Sequence, residues 1–313
     1  MVATFLRPSS VTPLLRRRWF WLCASVPALV AFACWWFTEP LEDAGAVALA
    51  PRPPRAATPA PAAAPPPPVA LTWPEETVAG DEAKRRLLEI LLACQARLDS
   101  VEGYTATFRK QERMRGRLGP EQTLSMKVRH RPFAIYLKFL APKAGKEVVY
   151  AEGRHDNKVI AHNGDWTRRL IPRLAVAPTD PLALADSRHP ITDAGLFNLT
   201  DRLISFRRMD LDDPDAVTVL DRIVDADGRV RLRSVHTHPR QKPERPFARV
   251  EVLYDPETWL PVQMTGYDWP AAPDHSGELD LAERYTYDDV RLDAPLSDLD
   301  FDPANPEYAF TRF

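Results

Sequence analysis

The most constraining feature of this sequence is a long series of segments in which apolar and polar residues alternate. In the first, Tyr104, Ala106 and Phe108 alternate with Thr105, Thr107 and Arg109. Successive side chains of a β-strand point to opposite faces, so this period indicates half-buried strands. Further strands are predicted at residues 124–129, 133–139, 148–150, 159–161, 217–224, 229–236, 247–254, 260–267 and 282–291. With hairpin signals such as Asp227-Gly228, they predict a large antiparallel sheet.

Two segments have the helical period instead. From Asp81 to Val101, the apolar residues fall largely on one helical face, and Gly103 ends the segment. A second helix is predicted at Asp193–Phe206, with Thr192 or Asp193 as its N-cap. The expected fold class is therefore α+β, a large antiparallel sheet that carries two helices.

The N-terminus contains an uncharged apolar run, Trp19 to Phe37, which is close to the roughly 20 residues of a membrane-spanning helix. Arginines precede the run and acidic residues follow it, so residues 1–18 are predicted to be cytoplasmic and everything after Phe37 to lie outside the cytoplasm. We expect a retained signal anchor, hence a single-pass inner-membrane protein with a periplasmic C-terminal domain. A cleavable signal peptide, suggested by Ala31-Phe32-Ala33, and a lipoprotein acylated at Cys34 are the alternatives.

Residues 51–74 are almost entirely Pro and Ala, a composition that favours polyproline II and forms a semi-rigid spacer. The predicted organisation is thus an anchor at 19–37, a linker at 38–74 and one exported domain at 75–313. Cys94 is the single cysteine of that domain, so it is expected to be a buried helix residue rather than half of an intrachain disulfide. The net charge of −2, without a basic stripe, argues against a nucleic-acid partner.

The stretch GRHDNKVIAHNGDW, residues 153–166, holds two histidines and two aspartates and could suggest a metal site. A hairpin with Asp156-Asn157 as its turn would pair His155 with Lys158 and Ala151 with His162, leaving the two histidines roughly 13 Å apart. Two ligands of one zinc ion must each lie within about 2.1 Å of it, so the stretch is predicted to be a solvated hairpin.

Other candidate chemistry is equally weak. His236 and His238 share a strand face next to Pro239 and are predicted to belong to a solvated strand end. The sequence lacks HExxH, GxSxG, Walker and GxGxxG motifs, so we expect neither an enzyme nor a metal or cofactor.

One face of the predicted sheet is broad and apolar, and only two predicted helices are available to cover it. We consider its residues candidate ligand contacts: Leu124, Met126, Val128, Phe133, Ile135, Leu137 and Phe139. The alternative is an ordinary core packed beneath the helices.

Several segments resemble the outer-membrane lipoprotein carriers of the LolA/LolB superfamily. LDSVEGYTATFRKQ (98–111) is similar to their helix-to-strand junction, VRHRPFAIYLKF (128–139) to a strand containing Arg-Pro, and EVVYAEGRHDNKVIAH (147–162) to the next hairpin. DLDFDPANPEYAF (298–310) resembles a carrier-like C-terminal segment, and RHPITDAGL (188–196), with YLKF and NPEYAF, resembles a related bacterial domain family of unknown function.

The resemblance implies a curved half-barrel sheet whose concave face carries the helices and encloses a cavity for acyl chains. It also implies that Arg131 bonds to the lid region and helps to hold that cavity closed. The alternative for Arg131 is an exposed residue at a strand start.

Two departures from the carriers, the predicted tether and a stretch at 165–192 without counterpart, favour a stationary acceptor, sensor or scaffold over a shuttle. The expected function is a membrane-tethered periplasmic domain that binds lipid or lipoprotein acyl chains. A protein-interaction or envelope-stress sensing module with a dry core, bound to an envelope protein, is the alternative, and an enzyme of unknown class is a distant third.

Overall fold

The computed structural model describes residues 72–164, 173–225, 228–270, 279–292 and 294–311. The predicted cytoplasmic segment, anchor and nearly all of the linker lie outside these residues. Among the helices described, none combines the length and the apolar character that a membrane crossing requires.

Within the described ranges the strands form one antiparallel sheet of 13 members. Their bounds are β1 Val78–Ala79, β2 Gly103–Met114, β3 Arg117–Leu118, β4 Gln122–Arg129, β5 Ala134–Ala141, β6 Glu147–Ala151, β7 Val159–His162, β8 Leu174–Val176, β9 Val217–Val224, β10 Val230–Thr237, β11 Arg249–Tyr254, β12 Pro261–Tyr267 and β13 Leu281–Arg291. The order across the sheet is β1-β9-β10-β11-β12-β13-β2-β4-β5-β6-β7-β8, and β3 pairs with β2. The sheet is open, because β1 and β8 lie at its two ends. The predicted large antiparallel sheet is confirmed.

Two α-helices, α1 Asp81–Asp99 and α2 Leu196–Leu211, pack on one face of this sheet, which we call the inner face. Helix α1 buries the apolar stripe that its sequence predicts, including Leu87, Leu91 and Cys94. Side chains of β4 and β5 that point to the inner face are matched by register, with Val128 opposite Ile135 and Leu124 opposite Phe139. The side chains of the inner-face core are therefore those that the alternation in the sequence predicts to share one face.

Helix α2 begins at Leu196, later than predicted, and its N-cap is Gly195 rather than Thr192 or Asp193. Gly195 has φ +102°, in the region that favours glycine. Its backbone places the Leu196 N–H where it donates a hydrogen bond of 2.7 Å to Tyr104 Oη. Asp193 lies in a short 3₁₀ turn and pairs with Arg202 at 2.7 Å. Tertiary docking at Tyr104, and not a side-chain cap, sets the start of the helix.

The opposite, outer face is covered at β5–β7 by the C-terminal segment, residues 297–311. Phe301, Tyr308 and Phe310 form a second core with side chains of the sheet. The ring of Tyr308 stacks on Tyr136 with centroids 3.9 Å apart and planes 4° from parallel. This end of the sheet is thus buried on both faces.

The hairpin of β6 and β7 exists, but its predicted register is wrong. Glu147 pairs with His162 and Val149 with Ile160, which leaves Glu152–Lys158 as a longer loop. His155, Asp156 and Asn157 all have positive φ values, between 52° and 56°. Three consecutive left-handed residues make a wider turn than the two-residue turn that was predicted.

Candidate ligand cavity

A cavity of about 150 Å³ lies on the inner face beside helix α2. Its floor comes from neighbouring strands, and its roof is the loop that leads into α2, residues 183–194. The apolar residues around it are Phe108, Leu124, Leu137, Phe139, Val148, Val159, Ile191, Leu199 and Met264. The cavity therefore occupies the part of the inner face that a loop, rather than a helix, covers.

The seven candidate ligand contacts predicted from the sequence divide into three groups. Leu124, Leu137 and Phe139 line the cavity. Met126, Val128 and Ile135 are at most 1% exposed and pack in the core below the helices. Phe133 is partly buried at the margin of that core, with its ring 6.1 Å from Tyr150. Position along each strand decides the group, because α2 begins directly above Val128.

Arg131 does not contact the cavity roof in the part of the chain described. Its guanidinium pairs with Asp99, the last residue of α1, and lies 5.8 Å from the ring centroid of Phe197 in α2. Arg131 is half-exposed and connects the start of β5 to both helices. A role in gating remains a prediction.

A rim of polar side chains, which was not predicted from the sequence, closes one side of the cavity. Lys143 and Lys146 place their ammonium groups 2.7 and 3.2 Å from Asp186 Oδ2 in the roof loop. Lys110 donates a hydrogen bond of 2.9 Å to the backbone oxygen of Asp186. Three cations thus meet at one residue of the roof.

Two buried carboxylates, Glu112 of β2 and Glu283 of β13, lie opposite each other at the same end of the inner face. Tyr285 Oη donates a hydrogen bond of 2.5 Å to Glu112. Glu283 Oε2 lies 3.1 Å from Arg188 Nε and 2.9 Å from His189 Nε2. Although burial opposes its charge, His189 and Arg188 hold the pKa of Glu283 below its ordinary value. These contacts attach the roof loop to the sheet.

A signal for this rim was present in the sequence. Lys110 and Glu112 continue the inward positions of Tyr104, Ala106 and Phe108 along β2. Charged residues at inward positions of a strand are costly unless they are paired, so they indicate buried partners from elsewhere in the chain.

The histidines are structural, and two predictions about their surroundings are wrong. His162 is buried, with Nε2 3.0 Å from Glu147 Oε2, while His155 is exposed as predicted. His236 and His238 are also buried rather than solvated. His236 lies between Thr218 and Ser234, and His238 Nε2 is 3.1 Å from Asp210. Among the described residues, no group of three or more His, Cys, Asp or Glu side chains is arranged to hold a metal ion.

A second depression of about 630 Å³ lies on the surface near Trp73. Charged side chains, including Glu75, Arg86 and Arg222, form part of its wall. It lacks the apolar enclosure of the inner-face cavity, which is the better candidate for an apolar ligand.

Comparison with known proteins gives one match to a family. The family described as "Protein of unknown function (DUF1571)" matches residues 101–310 of the 313-residue chain. No curated protein shows significant similarity to this chain.

Several solved structures are similar to the chain. A DUF1329 family protein from Desulfovibrio piger has 12% identity and a TM-score of 0.34, covering 70% of this chain and 97% of its own. The Mycobacterium tuberculosis lipoprotein LppX has 12% identity and a TM-score of 0.36, covering 67% and 97%. A LolA superfamily protein from Nitrosomonas europaea has 9% identity and a TM-score of 0.28, covering 68% and 96%. A member of the LolA superfamily, which the sequence segments resemble, is thus among these similar structures.

Proposed function

Because the chain belongs to the DUF1571 family, whose description assigns no function, we propose a function from the geometry of the chain itself: the inner-face cavity binds an acyl chain of a lipid or lipoprotein. The observation that carries this proposal is an apolar cavity under a loop that has little burial of its own. In the fully described stretch 177–194, every residue keeps some exposure to solvent, whereas the floor residues Phe108, Leu124 and Phe139 are buried.

The cavity is the closed form of a larger site. A volume of about 150 Å³ suits a group of roughly the size of benzene, which is less than a whole acyl chain needs. A longer chain therefore requires the first part of the roof, residues 183–187, to move away from the sheet, while Arg188 and His189 keep their contacts with Glu283. No residue of 183–187 is fully buried, and segments with few buried apolar contacts open at low cost in free energy.

The sheet is a half-barrel in this proposal, with the cavity on its concave side. Residues 19–37 hold the protein in the inner membrane as a single-pass anchor, with the N-terminus in the cytoplasm and the domain in the periplasm. The linker reaches roughly 105 Å over residues 38–71 if extended at about 3.1 Å per residue, because Trp73 is already buried in the core. A tethered domain of this reach acts as a stationary acceptor or donor of acyl chains, and it binds without catalysing a reaction.

A specific observation favours the second candidate, a protein-interaction module with a dry core. Met126, Val128 and Ile135, three of the candidate ligand contacts, are at most 1% exposed and belong to the main core. The two candidates differ in whether the space around Leu124, Leu137 and Phe139 admits a ligand.

The test is binding of a fluorescent acyl-chain probe to the full chain in amphipol, combined with mass spectrometry of lipid that co-purifies. Val148→Phe fills the cavity from its floor, so we expect it to abolish probe binding with little loss of stability. Ile135→Ala is the matched control: it should cost about 2–5 kcal/mol of unfolding free energy and leave binding measurable. A wild-type chain that carries no lipid and binds no probe would leave the interaction module as the function.

A further inference from the structure

We propose that Lys110, Lys143 and Lys146 form a binding site for the anionic group of an acyl-chain ligand, and that Asp186 occupies this site in the closed form. The inference deepens the proposed function, on which it rests, and it specifies the ligand class as an amphiphile that carries an oxyanion, a carboxylate or a phosphate, at one end of its chain.

The geometry of the lysines is that of an anion site. Lys143 and Lys146 come from the turn between β5 and β6, and Lys110 comes from β2, yet all three ammonium groups converge on Asp186. Asp186 accepts hydrogen bonds through its side chain and its backbone: the carboxylate accepts from Lys143 and Lys146, and the backbone carbonyl accepts from Lys110. An oxyanion with several acceptor oxygens can receive the same donors.

The site is joined to the apolar cavity. Lys110, Lys146 and Asp186 all belong to the cavity wall. The ammonium group of Lys146 lies 5.1 Å from the ring centroid of Phe139, a floor residue. A ligand with its chain on Phe139 therefore has its anionic end within reach of Lys146, which fits an amphiphile better than a neutral hydrocarbon.

The charges nearby explain why opening of the roof favours an anion. Within the described part of the chain, Asp186 is the carboxylate partner of Lys143 and Lys146, whereas Lys110 also contacts Glu112 at 3.0 Å. Burial, with the charges of Lys143 and Lys110, lowers the pKa of Lys146, although Asp186 opposes this effect. When the loop moves, Asp186 leaves with it, and a partly buried ammonium without a partner is costly. A ligand oxyanion restores that partner.

The other acidic groups at the cavity are already paired. Asp193 bonds to Arg202 at 2.7 Å, and Glu283 bonds to Arg188 and His189. Glu112 accepts hydrogen bonds from Tyr285 and Lys110. These pairs lie outside residues 183–187, so they remain when that part of the roof moves, and they reduce the repulsion that an incoming anion meets.

The experiment compares cis-parinaric acid with its methyl ester, which has the same chain without the charge, on the full chain in amphipol. We expect the wild type to bind the acid more tightly than the ester. Lys146→Met should weaken binding of the acid about tenfold and leave binding of the ester unchanged. Asp186→Asn should tighten binding of the acid, since the internal competitor is gone.

Controls separate this inference from the proposed function. Lys138→Met removes a half-exposed lysine of the outer face of β5, 3.8 Å from Glu147 and away from the cavity, and should change neither affinity. Lys143→Gln, at a half-exposed position, repeats the test if Lys146→Met does not fold. Equal affinity for the acid and the ester in every variant would overturn the anion site but leave the proposed acyl-chain cavity intact. If neither the acid nor the ester binds, both the anion site and the proposed function are overturned. Displacement of the acid by oleate alone identifies a carboxylate ligand, and displacement by lysophosphatidate as well identifies a phosphate headgroup; neutral monooleoylglycerol should displace it weakly.

Discussion

At the residue scale, His162 shows how one buried polar side chain connects distant parts of the chain. Its Nε2 lies 3.0 Å from Glu147 Oε2, and the same oxygen accepts a hydrogen bond of 2.8 Å from the Ala309 N–H. The ring of Phe310 meets the His162 imidazole edge-on at 4.8 Å. Although burial opposes its charge, the hydrogen bonds from His162 and Ala309 hold the pKa of Glu147 below its ordinary value. The pair therefore fixes the C-terminal segment to the hairpin.

His162→Gln is expected to reduce the unfolding free energy by about 1–3 kcal/mol, because it disturbs a hydrogen bond to a buried carboxylate. His155→Gln is the matched control at the exposed end of the same hairpin and should stay within about 0.5 kcal/mol of wild type. Urea unfolding followed by circular dichroism measures both. Equal stabilities of the two variants would show that His162 is solvated, as the sequence alone predicted.

At the scale of the element, helix α2 is docked by charges at its C-terminal end as well as by its apolar face. Asp210 lies 3.0 Å from Arg207, 2.8 Å from Arg245 and 3.1 Å from His238. Burial lowers the pKa of Arg207 to about 10. Burial also disfavours the charge of Asp210, but His238, Arg207 and Arg245 together hold its pKa below the ordinary value. The carboxylate form of Asp210 is thus the form that the fold stabilises.

The lowered pKa of Asp210 determines how the stability of the fold depends on pH. A carboxyl group with a lowered pKa contributes stability above its unfolded pKa, about 3.9, and loses it as the pH falls through the lower folded value. We expect Asp210→Asn to cost about 3–5 kcal/mol near pH 7, since it leaves buried arginines without their anion. The difference from wild type should shrink below about pH 4.

Unfolding free energies measured between pH 3 and pH 7 check this prediction. Asp212→Asn, at an exposed position just beyond the end of α2, is the control and should follow the wild type throughout. A difference between Asp210→Asn and wild type that stays constant with pH would contradict a role for the ionised carboxylate.

At the scale of the whole molecule, the sheet is covered differently along its length. Helices cover the inner face over one part, the roof loop covers it at the cavity, and the C-terminal segment covers the outer face at β5–β7. The cavity floor at Leu137 and Phe139 therefore belongs to strands whose other face is also buried. This second layer supports the cavity floor from the outer face.

Phe301→Ala is expected to cost about 3–5 kcal/mol, because Phe301 is fully buried on the outer face. Leu299→Ala, two residues away and half-exposed, is the matched control and should change stability by about 0.5 kcal/mol or less. Guanidinium unfolding of the full chain measures both. Similar stabilities of the two variants would show that the segment does not act as a structural layer.

The strands and the helices could be predicted from the sequence because their signals are local. β9 was predicted at 217–224 and is observed at Val217–Val224, and β12 was predicted at 260–267 and is observed at Pro261–Tyr267. Alternation of side chains requires only neighbouring residues, and so does the apolar stripe of α1. Cys94 is buried in that stripe, as predicted.

The candidate site was predicted only in part. Leu124 and Ile135 are both inward apolar residues of the same core, and nothing local distinguishes them, yet Leu124 lines the cavity and Ile135 does not. The difference depends on where α2 begins, and that depends on contacts of Gly195 and Leu196 with Tyr104, some 90 residues away in the chain.

By itself, then, the sequence determined the period of each element, the inward face of each strand and the class of the fold. Only the tertiary structure decided which inward residues a loop covers instead of a helix, that His162, His236 and His238 are buried, and that Lys110, Lys143 and Lys146 meet at Asp186. The physical reason is the separation along the chain of the residues that interact. Periodicity follows from bonds between neighbouring residues, whereas burial and charge pairing follow from packing between segments that are far apart in the chain.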